Sequence, residues 1–227
     1  MCFSAQADLA GGVVITAIGI DAVRHIRQRR ELIALAWLPV LLGAHQFIEA
    51  VVWLWLQGHV PREAGRLALW AYLVIALAAL PVLVPMAVVA LEPTRHRKLM
   101  MTPFAVLGTV TAAVLLTAMI SGPIGARLAT YHLAYTVRLQ YGFLITTAYV
   151  IAVCGPLLLS GYRHVTIFGV VNLGAVVVIA LLTTSGFASI WCAWAAVSSG
   201  AIALHCRYAR PHRQHSRPRA SRLMPQS

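Results

Sequence analysis

Long apolar runs alternate along the chain with short breaks that carry charge, glycine or proline. Seven runs approach the length of about 20 residues that a helix needs to cross a bilayer. They cover residues 8–23, 35–56, 67–91, 100–120, 139–159, 165–184 and 187–204. Because lipid offers the backbone no hydrogen-bond partners, runs of this length must form helices. The pattern predicts an all-α polytopic membrane protein, with a seven-transmembrane-helix bundle over residues 1–206.

The composition excludes several other classes of protein. About 60% of the 227 residues are hydrophobic and 11% are charged, whereas a soluble domain carries roughly 25% charged residues. The mean hydropathy is +0.79. A soluble enzyme, a disordered chain and a small disulfide scaffold are each incompatible with these values.

The positive charges predict the orientation of the bundle. The formal net charge is +12, from 18 Lys and Arg against 6 Asp and Glu. If the N-terminus lies outside, fourteen of the 18 basic residues fall on the cytoplasmic side, as the positive-inside rule requires. We therefore expect an N-out/C-in topology. Residues 207–227 carry six arginines without an apolar stripe, so we expect a disordered tail that contacts anionic lipid head groups, and no nucleic acid.

Two carboxylates lie inside the apolar runs, away from their ends. A charge within a span costs roughly 2.5–3.5 kcal/mol on insertion scales. Asp21 lies near His25 and is interpreted as an interfacial acid. Glu49 follows His45 by four residues, so both side chains share one face of the second helix. The pair fits a metal or acid/base site with His45 and Glu49 as catalytic residues, or a buried hydrogen bond that only stabilises the bundle.

Two cysteines extend the metal hypothesis. Removal of Met1 would leave Cys2 with a free amine and a thiolate, which together chelate soft or borderline metals such as zinc. Cys192 in the last helix is expected at a depth similar to that of Glu49. A disulfide between the two cysteines, or two inert thiols, are the alternatives. The outer loop 121–138 could cover the site, and the complete predicted ligand set is Cys2, His45, Glu49, Cys192 and His132.

The remaining polar and aromatic side chains have structural interpretations. Tryptophans and tyrosines near the predicted outer surface are expected to form the aromatic belt of a membrane protein; they are Trp53, Trp55, Trp70, Tyr72 and the tyrosines of loop 121–138. Asn172 and Tyr149 lie in the middle of apolar runs and are expected to hydrogen-bond between helices.

The N-terminal quarter resembles a known group of proteins. The opening Met1-Cys2-Phe3-Ser4-Ala5 precedes a glycine-rich first helix, and the second helix carries Gly43-Ala44-His45-Gln46-Phe47-Ile48-Glu49. This combination resembles a bacterial family of uncharacterised multi-pass membrane proteins that begin Met-Cys-Phe-Ser. The resemblance implies an integral protein of the bacterial cytoplasmic membrane. It implies no activity, but it covers Cys2, His45 and Glu49.

Three functions follow from these observations. The first is an integral membrane protein with a metal-binding, and in that case enzymatic, site. The second is a non-catalytic small-molecule or lipid binder, sensor or transporter. The third is a zinc-dependent membrane hydrolase resembling alkaline ceramidases, although the last helix lacks the paired histidines of that group. Retinal proteins are excluded because the one lysine, Lys98, lies in a predicted inner loop.

Overall fold

The computed structural model describes residues 4–26, 32–129, 132–182 and 187–208, apart from the side chains of 179–193. Seven helices and one pair of strands account for most of these residues. The helices are α1 (Ala5–Ile26), α2 (Ile33–Leu56), α3 (Arg62–Leu91), α4 (Arg95–Ser121), α5 (Gly142–Leu159), α6 (Arg163–Leu182) and α7 (Phe187–Tyr208). The strands are β1 (Ile124–Leu128) and β2 (Leu133–Val137). Each predicted apolar run therefore coincides with a helix.

The outer surface of the helices is apolar. Within the described residues, α1 to α5 are long and apolar enough to cross a membrane, and α6 contains a shorter apolar stretch, Arg163–Val178. Large apolar side chains such as Val13, Val106 and Phe143 are more than half exposed. An apolar exterior on this scale suits lipid better than water. The seven-span bundle and the N-out orientation stay predictions, and the tail beyond Tyr208 lies outside the described residues.

Helices α1 and α2 pack antiparallel, with their backbones in contact. A Cβ atom added at Gly19 would lie 2.7 Å from the Val40 backbone nitrogen. One at Gly43 would collide with the Thr16 side chain and lie 2.9 Å from the Thr16 nitrogen. Small residues permit such close approach of two helices. The register of these contacts brings the first turns of α1 beside the second half of α2.

Helix α3 contains a π-helical turn, Ile75–Ala79. In a π turn each carbonyl accepts a hydrogen bond from the residue five positions later. For Ala76 that residue is Pro81, which has no N–H to donate. The Tyr149 hydroxyl of α5 donates to the Ala76 carbonyl instead, at 2.8 Å. The interhelical hydrogen bond expected for Tyr149 is thus confirmed, and it supplies the donor that Pro81 lacks.

The described part of the chain is mostly helical, as predicted, but the connection between α4 and α5 contains strands that the sequence analysis did not predict. β1 and β2 form an antiparallel hairpin in which Ile124 pairs with Val137 and Leu128 with Leu133. Leu133 and Ala134 are buried, and Leu133 packs in an apolar cluster with residues of α2 and α3. A segment packed against apolar helices must pair its backbone polar groups internally, and a hairpin achieves this pairing.

Candidate functional site

Buried polar side chains from four elements lie in the interior near the second half of α2, and we refer to them as the polar cluster. Its members are Asp8 of α1, His45, Gln46 and Glu49 of α2, Tyr72 of α3 and Tyr135 of β2. Asp8, Glu49 and Tyr72 have no exposed surface, Gln46 is 1% exposed and His45 is 5% exposed. The inward face of α2 is apolar up to Leu42 and becomes polar at His45. Both candidate catalytic side chains, His45 and Glu49, therefore point into the packed helices.

Three aromatic rings stack in the polar cluster. The His45 ring lies on the Tyr72 ring, with centroids 4.0 Å apart and planes inclined by 19°. On its other side Tyr72 stacks on Tyr135, with centroids 4.3 Å apart and an angle of 16°. The stack therefore joins α2, α3 and the hairpin. The short centroid distances and small angles show that the three rings lie nearly parallel in direct contact.

The assignment of Tyr72 and Trp53 to an exposed aromatic belt is wrong. Tyr72 is fully buried and Trp53 is 6% exposed. Gly65 and Ala68 lie on the same face of α3 as Tyr72 because the three follow helical spacing, and all three are buried. Gly65 leaves room for the Trp55 ring, so this face of α3 packs against α2 and carries Tyr72 inward.

Hydrogen bonds fix the orientation of both candidate catalytic side chains. His45 Nε2 lies 3.2 Å from the Tyr72 carbonyl oxygen. Since a carbonyl only accepts, Nε2 carries the proton and Nδ1 keeps its lone pair. Nδ1 makes no hydrogen bond to any described residue. The Tyr135 hydroxyl donates to Glu49 Oε1 at 3.3 Å, so the hairpin closes over the acid.

Asp8 and Gln46 were not singled out from the sequence. Asp8 is the first residue of an apolar run, and a charged residue there is typical of an exposed helix end. Asp8 is nevertheless fully buried. Its helical spacing from Gly11, Gly12 and Ile15 could have indicated this burial, because those residues share one buried face of α1. Both polar atoms of the Gln46 amide are buried without a hydrogen-bond partner among the described residues. The Oε1 atom of Gln46 lies 3.6 Å from where a Cβ at Gly11 would stand, so this amide points at α1.

The described part of the chain contains no group of three or more His, Cys, Asp or Glu side chains that could hold a metal. Cys2 and the Cys192 side chain lie outside what is described. His132 lies at the turn of the hairpin, where its carbonyl accepts from the Ala129 amide, and it does not complete such a group with His45 and Glu49. The roles assigned to Cys2, Cys192 and His132 stay predictions.

Comparison with known proteins assigns the chain to a family but not to an activity. The model of a family of unknown function, DUF6629, matches residues 1–219. The chain belongs to this family. No curated protein and no solved structure matches it. Membership agrees with the predicted resemblance to uncharacterised proteins, while bacterial origin and the opening motif as a family signature stay predictions.

Polar residues away from the polar cluster have structural partners. Asp21 and His25 form the expected pair, with Nδ1 and Oδ1 3.4 Å apart and both side chains partly exposed. Asn172 Oδ1 accepts from the Trp194 indole of α7 at 2.7 Å, so its predicted interhelical bond is confirmed. Glu92, which the sequence placed in a loop, is buried and accepts from Ser160 Oγ at 2.7 Å and from the Gly161 amide at 2.8 Å.

Proposed function

We propose that the protein is a multi-pass integral membrane protein that binds a transition-metal ion in the polar cluster, with zinc as the best-fitting metal. His45 and Glu49 supply two ligands and Cys2 supplies a third. The hydrogen bond from His45 Nε2–H to the Tyr72 carbonyl carries this proposal. Histidines that bind metals usually donate their other ring N–H to a carbonyl or carboxylate, which fixes the tautomer. His45 is held in that tautomer, with Nδ1 as the available donor atom.

Electrostatics also favours a bound cation. Asp8 and Glu49 are both fully buried in an apolar bundle. Gly12 of α1 lies level with Phe47 of α2, because a Cβ atom added at Gly12 would stand 2.9 Å from the Phe47 ring. Asp8 precedes Gly12 by about one turn of α1, and the two helices run antiparallel. The levels of Asp8 and Glu49 along the helices therefore differ by only about 3 Å at 1.5 Å per residue. Buried carboxylates are stabilised by a counter-charge, and one divalent ion would serve both.

The donor atoms select the class of metal. An imidazole nitrogen, a carboxylate oxygen and a thiolate sulfur suit zinc, which takes four ligands in tetrahedral geometry. Calcium binds oxygen ligands, so an imidazole nitrogen and a thiolate sulfur in the proposed ligand set favour zinc over calcium. The fourth zinc ligand would be Cys192 or water. With water in that position the metal would supply a nucleophile near neutral pH, and Glu49 would act as its base.

A second candidate function is a non-catalytic binder, sensor or transporter of a small polar molecule. The Gln46 amide and the Thr16 hydroxyl favour it. Both are buried between α1 and α2 without a partner among the described residues. An unsatisfied buried polar group costs about 1–3 kcal/mol, and a polar ligand at this interface would remove that cost.

Elemental analysis of the detergent-purified chain tests the metal proposal. We expect about one zinc ion per chain after loading and dialysis, and a large loss in His45→Ala, Glu49→Gln and Cys2→Ser. His59→Ala is the matched control, because His59 is an exposed histidine in the connection between α2 and α3 and not a member of the polar cluster. Size-exclusion profiles verify that each variant is folded. Zinc content that is absent in the wild type, or unchanged in His45→Ala and Glu49→Gln, would overturn the proposal and favour the binder.

A further inference from the structure

Helix α4 carries a shallow apolar groove on its outer face. The groove has a volume of about 560 Å³ and is lined by Leu99, Thr102, Pro103, Val106, Leu107 and Val110. Leu99 is 61% exposed and Val106 57% exposed. No described helix covers these side chains, so in water they would be a large unfavourable patch.

The groove has the length of one lipid leaflet. From Leu99 to Val110 the helix rises by about 16 Å at 1.5 Å per residue. The hydrocarbon core of a bilayer is about 30 Å thick, so the groove spans about half of it. It begins one turn inside the helix, directly after the basic residues of the first turn. A single acyl chain entering from that end would fill it.

The first turn of α4 has an unusual excess of positive charge. It contains Arg95, His96, Arg97 and Lys98 and no acidic residue. The N-terminus of a helix is itself positive, because its first N–H groups have no partner within the helix. The Thr94 hydroxyl accepts from the Arg97 amide at 3.4 Å, which satisfies one of these groups. The remaining positive potential is complementary to an anion.

The neighbouring helix adds to the same positive surface. Helix α6 begins with Arg163 and His164, both exposed. Its start lies close to that of α4, because the Arg97 guanidinium donates at 3.3 Å to the carbonyl of Leu159, the last residue of α5 and four positions before Arg163. The acid at this end, Glu92, is buried and directs Oε1 to Ser160 and Gly161. Its Oε2 faces Arg97, since this oxygen and the Arg97 guanidinium both lie within 3.2 Å of the point where a Cβ at Gly161 would stand. The basic side chains of α4 left for a ligand are therefore those of Arg95 and Lys98.

We propose that α4 binds one anionic phospholipid, with its phosphate at Arg95, Lys98 and the helix N-terminus and one acyl chain in the groove. Pro103 has no N–H to donate to the Leu99 carbonyl, so the helix lacks one regular hydrogen bond between the basic turn and the groove. The continuity of the basic first turn with the apolar groove fits a lipid rather than a soluble anion. The site rests on the proposed membrane location and is independent of the metal proposal.

Native mass spectrometry of the full-length chain with added lipid tests the site. The probes are phosphatidylglycerol and phosphatidylcholine with identical acyl chains. We expect the wild type to retain one phosphatidylglycerol with a preference of roughly tenfold or more over phosphatidylcholine, the scale of two interfacial charges. Arg95→Gln/Lys98→Gln should erase this preference. Val106→Trp, which fills the groove without changing charge, should lower retention of both lipids.

The controls separate this site from general attraction to basic protein. Arg62→Gln/Arg66→Gln removes two exposed arginines at the start of α3 and should leave the preference intact. An equal loss in this variant, or no loss in Arg95→Gln/Lys98→Gln, would overturn the proposal in favour of diffuse or tail-mediated attraction. Unchanged retention in Val106→Trp would overturn it by excluding a chain in the groove. Displacement of the lipid by inorganic phosphate at equal concentration would overturn it in favour of a simple anion site.

Discussion

Replacement of Gly19 by alanine tests the contact on which the polar cluster is built. The added Cβ would stand 2.7 Å from the Val40 nitrogen and 3.1 Å from the Pro39 carbonyl carbon. Both are backbone atoms, so no side-chain rotation relieves the collision. To restore an ordinary contact of 3.4 Å, α1 and α2 must separate by about 0.7 Å at this level.

The magnitude follows from comparison with a glycine in open space. Overpacking of a well-packed interface costs about 1–3 kcal/mol, while alanine in a helix gains about 1 kcal/mol over glycine. A Cβ added at Gly174 of α6 would have no atom within 4 Å. Gly174→Ala should therefore gain the higher helix propensity of alanine without any overpacking. The two variants should therefore differ by about 1–3 kcal/mol in the free energy of unfolding, with Gly19→Ala the less stable.

Thermal unfolding in one mild detergent, followed by tryptophan fluorescence, measures this difference. At roughly 2–4 °C per kcal/mol for a chain of this size, the midpoints should differ by several degrees. Gly43→Ala should behave like Gly19→Ala, because it collides with the Thr16 backbone from the opposite helix. If Gly19→Ala and Gly43→Ala match Gly174→Ala, α1 and α2 are not in backbone contact. The juxtaposition of Asp8 with Glu49 then fails as well.

Two further variants probe the partners of the polar cluster and of the π turn. Tyr135→Phe keeps the ring stack but loses the hydroxyl bond to Glu49, and should lower the free energy of unfolding by about 1 kcal/mol. The effect should vanish in a Glu49→Ala background, which offers the hydroxyl no acceptor at this position, and persistence there would refute the bond. Tyr149→Phe leaves the Ala76 carbonyl without its donor and should cost about 1–3 kcal/mol. Tyr141→Phe, at a side chain 66% exposed, should cost nothing, and equal thermal midpoints for the two would contradict this explanation.

The helices could be predicted from sequence because their signal is local. A run of about 20 apolar residues has no other way to satisfy its backbone in lipid. The inward orientation of His45 and Glu49 was also accessible, since residues four apart share a face and a charged face avoids lipid. The aromatic residues were harder to predict. Hydropathy indicates the depth of a residue such as Tyr72, but not which side of its helix faces the protein.

The hairpin could not be predicted from the local sequence either. Residues 121–138 looked like a polar connection because they break the apolar pattern. Their strand pairing and the burial of Leu133 depend on the surfaces of α2 and α3. Tyr135 reaches Glu49 across 86 positions of sequence, and no spacing rule connects residues so far apart. Asp8 was overlooked for a related reason, because burial at a helix end depends on the neighbouring helix.

The amino-acid sequence by itself determined that this chain forms apolar helices, where they begin and end to within a few residues, and that one face of α2 carries a histidine and an acid. Those properties depend on hydrogen bonds and spacing within about one turn. Only the tertiary structure decided that Tyr72 and Tyr135 stack on His45, that Asp8 is buried at the level of Glu49, and that Tyr149 satisfies the π turn. These contacts depend on how each helix is rotated about its axis, which the packing of all the helices determines together.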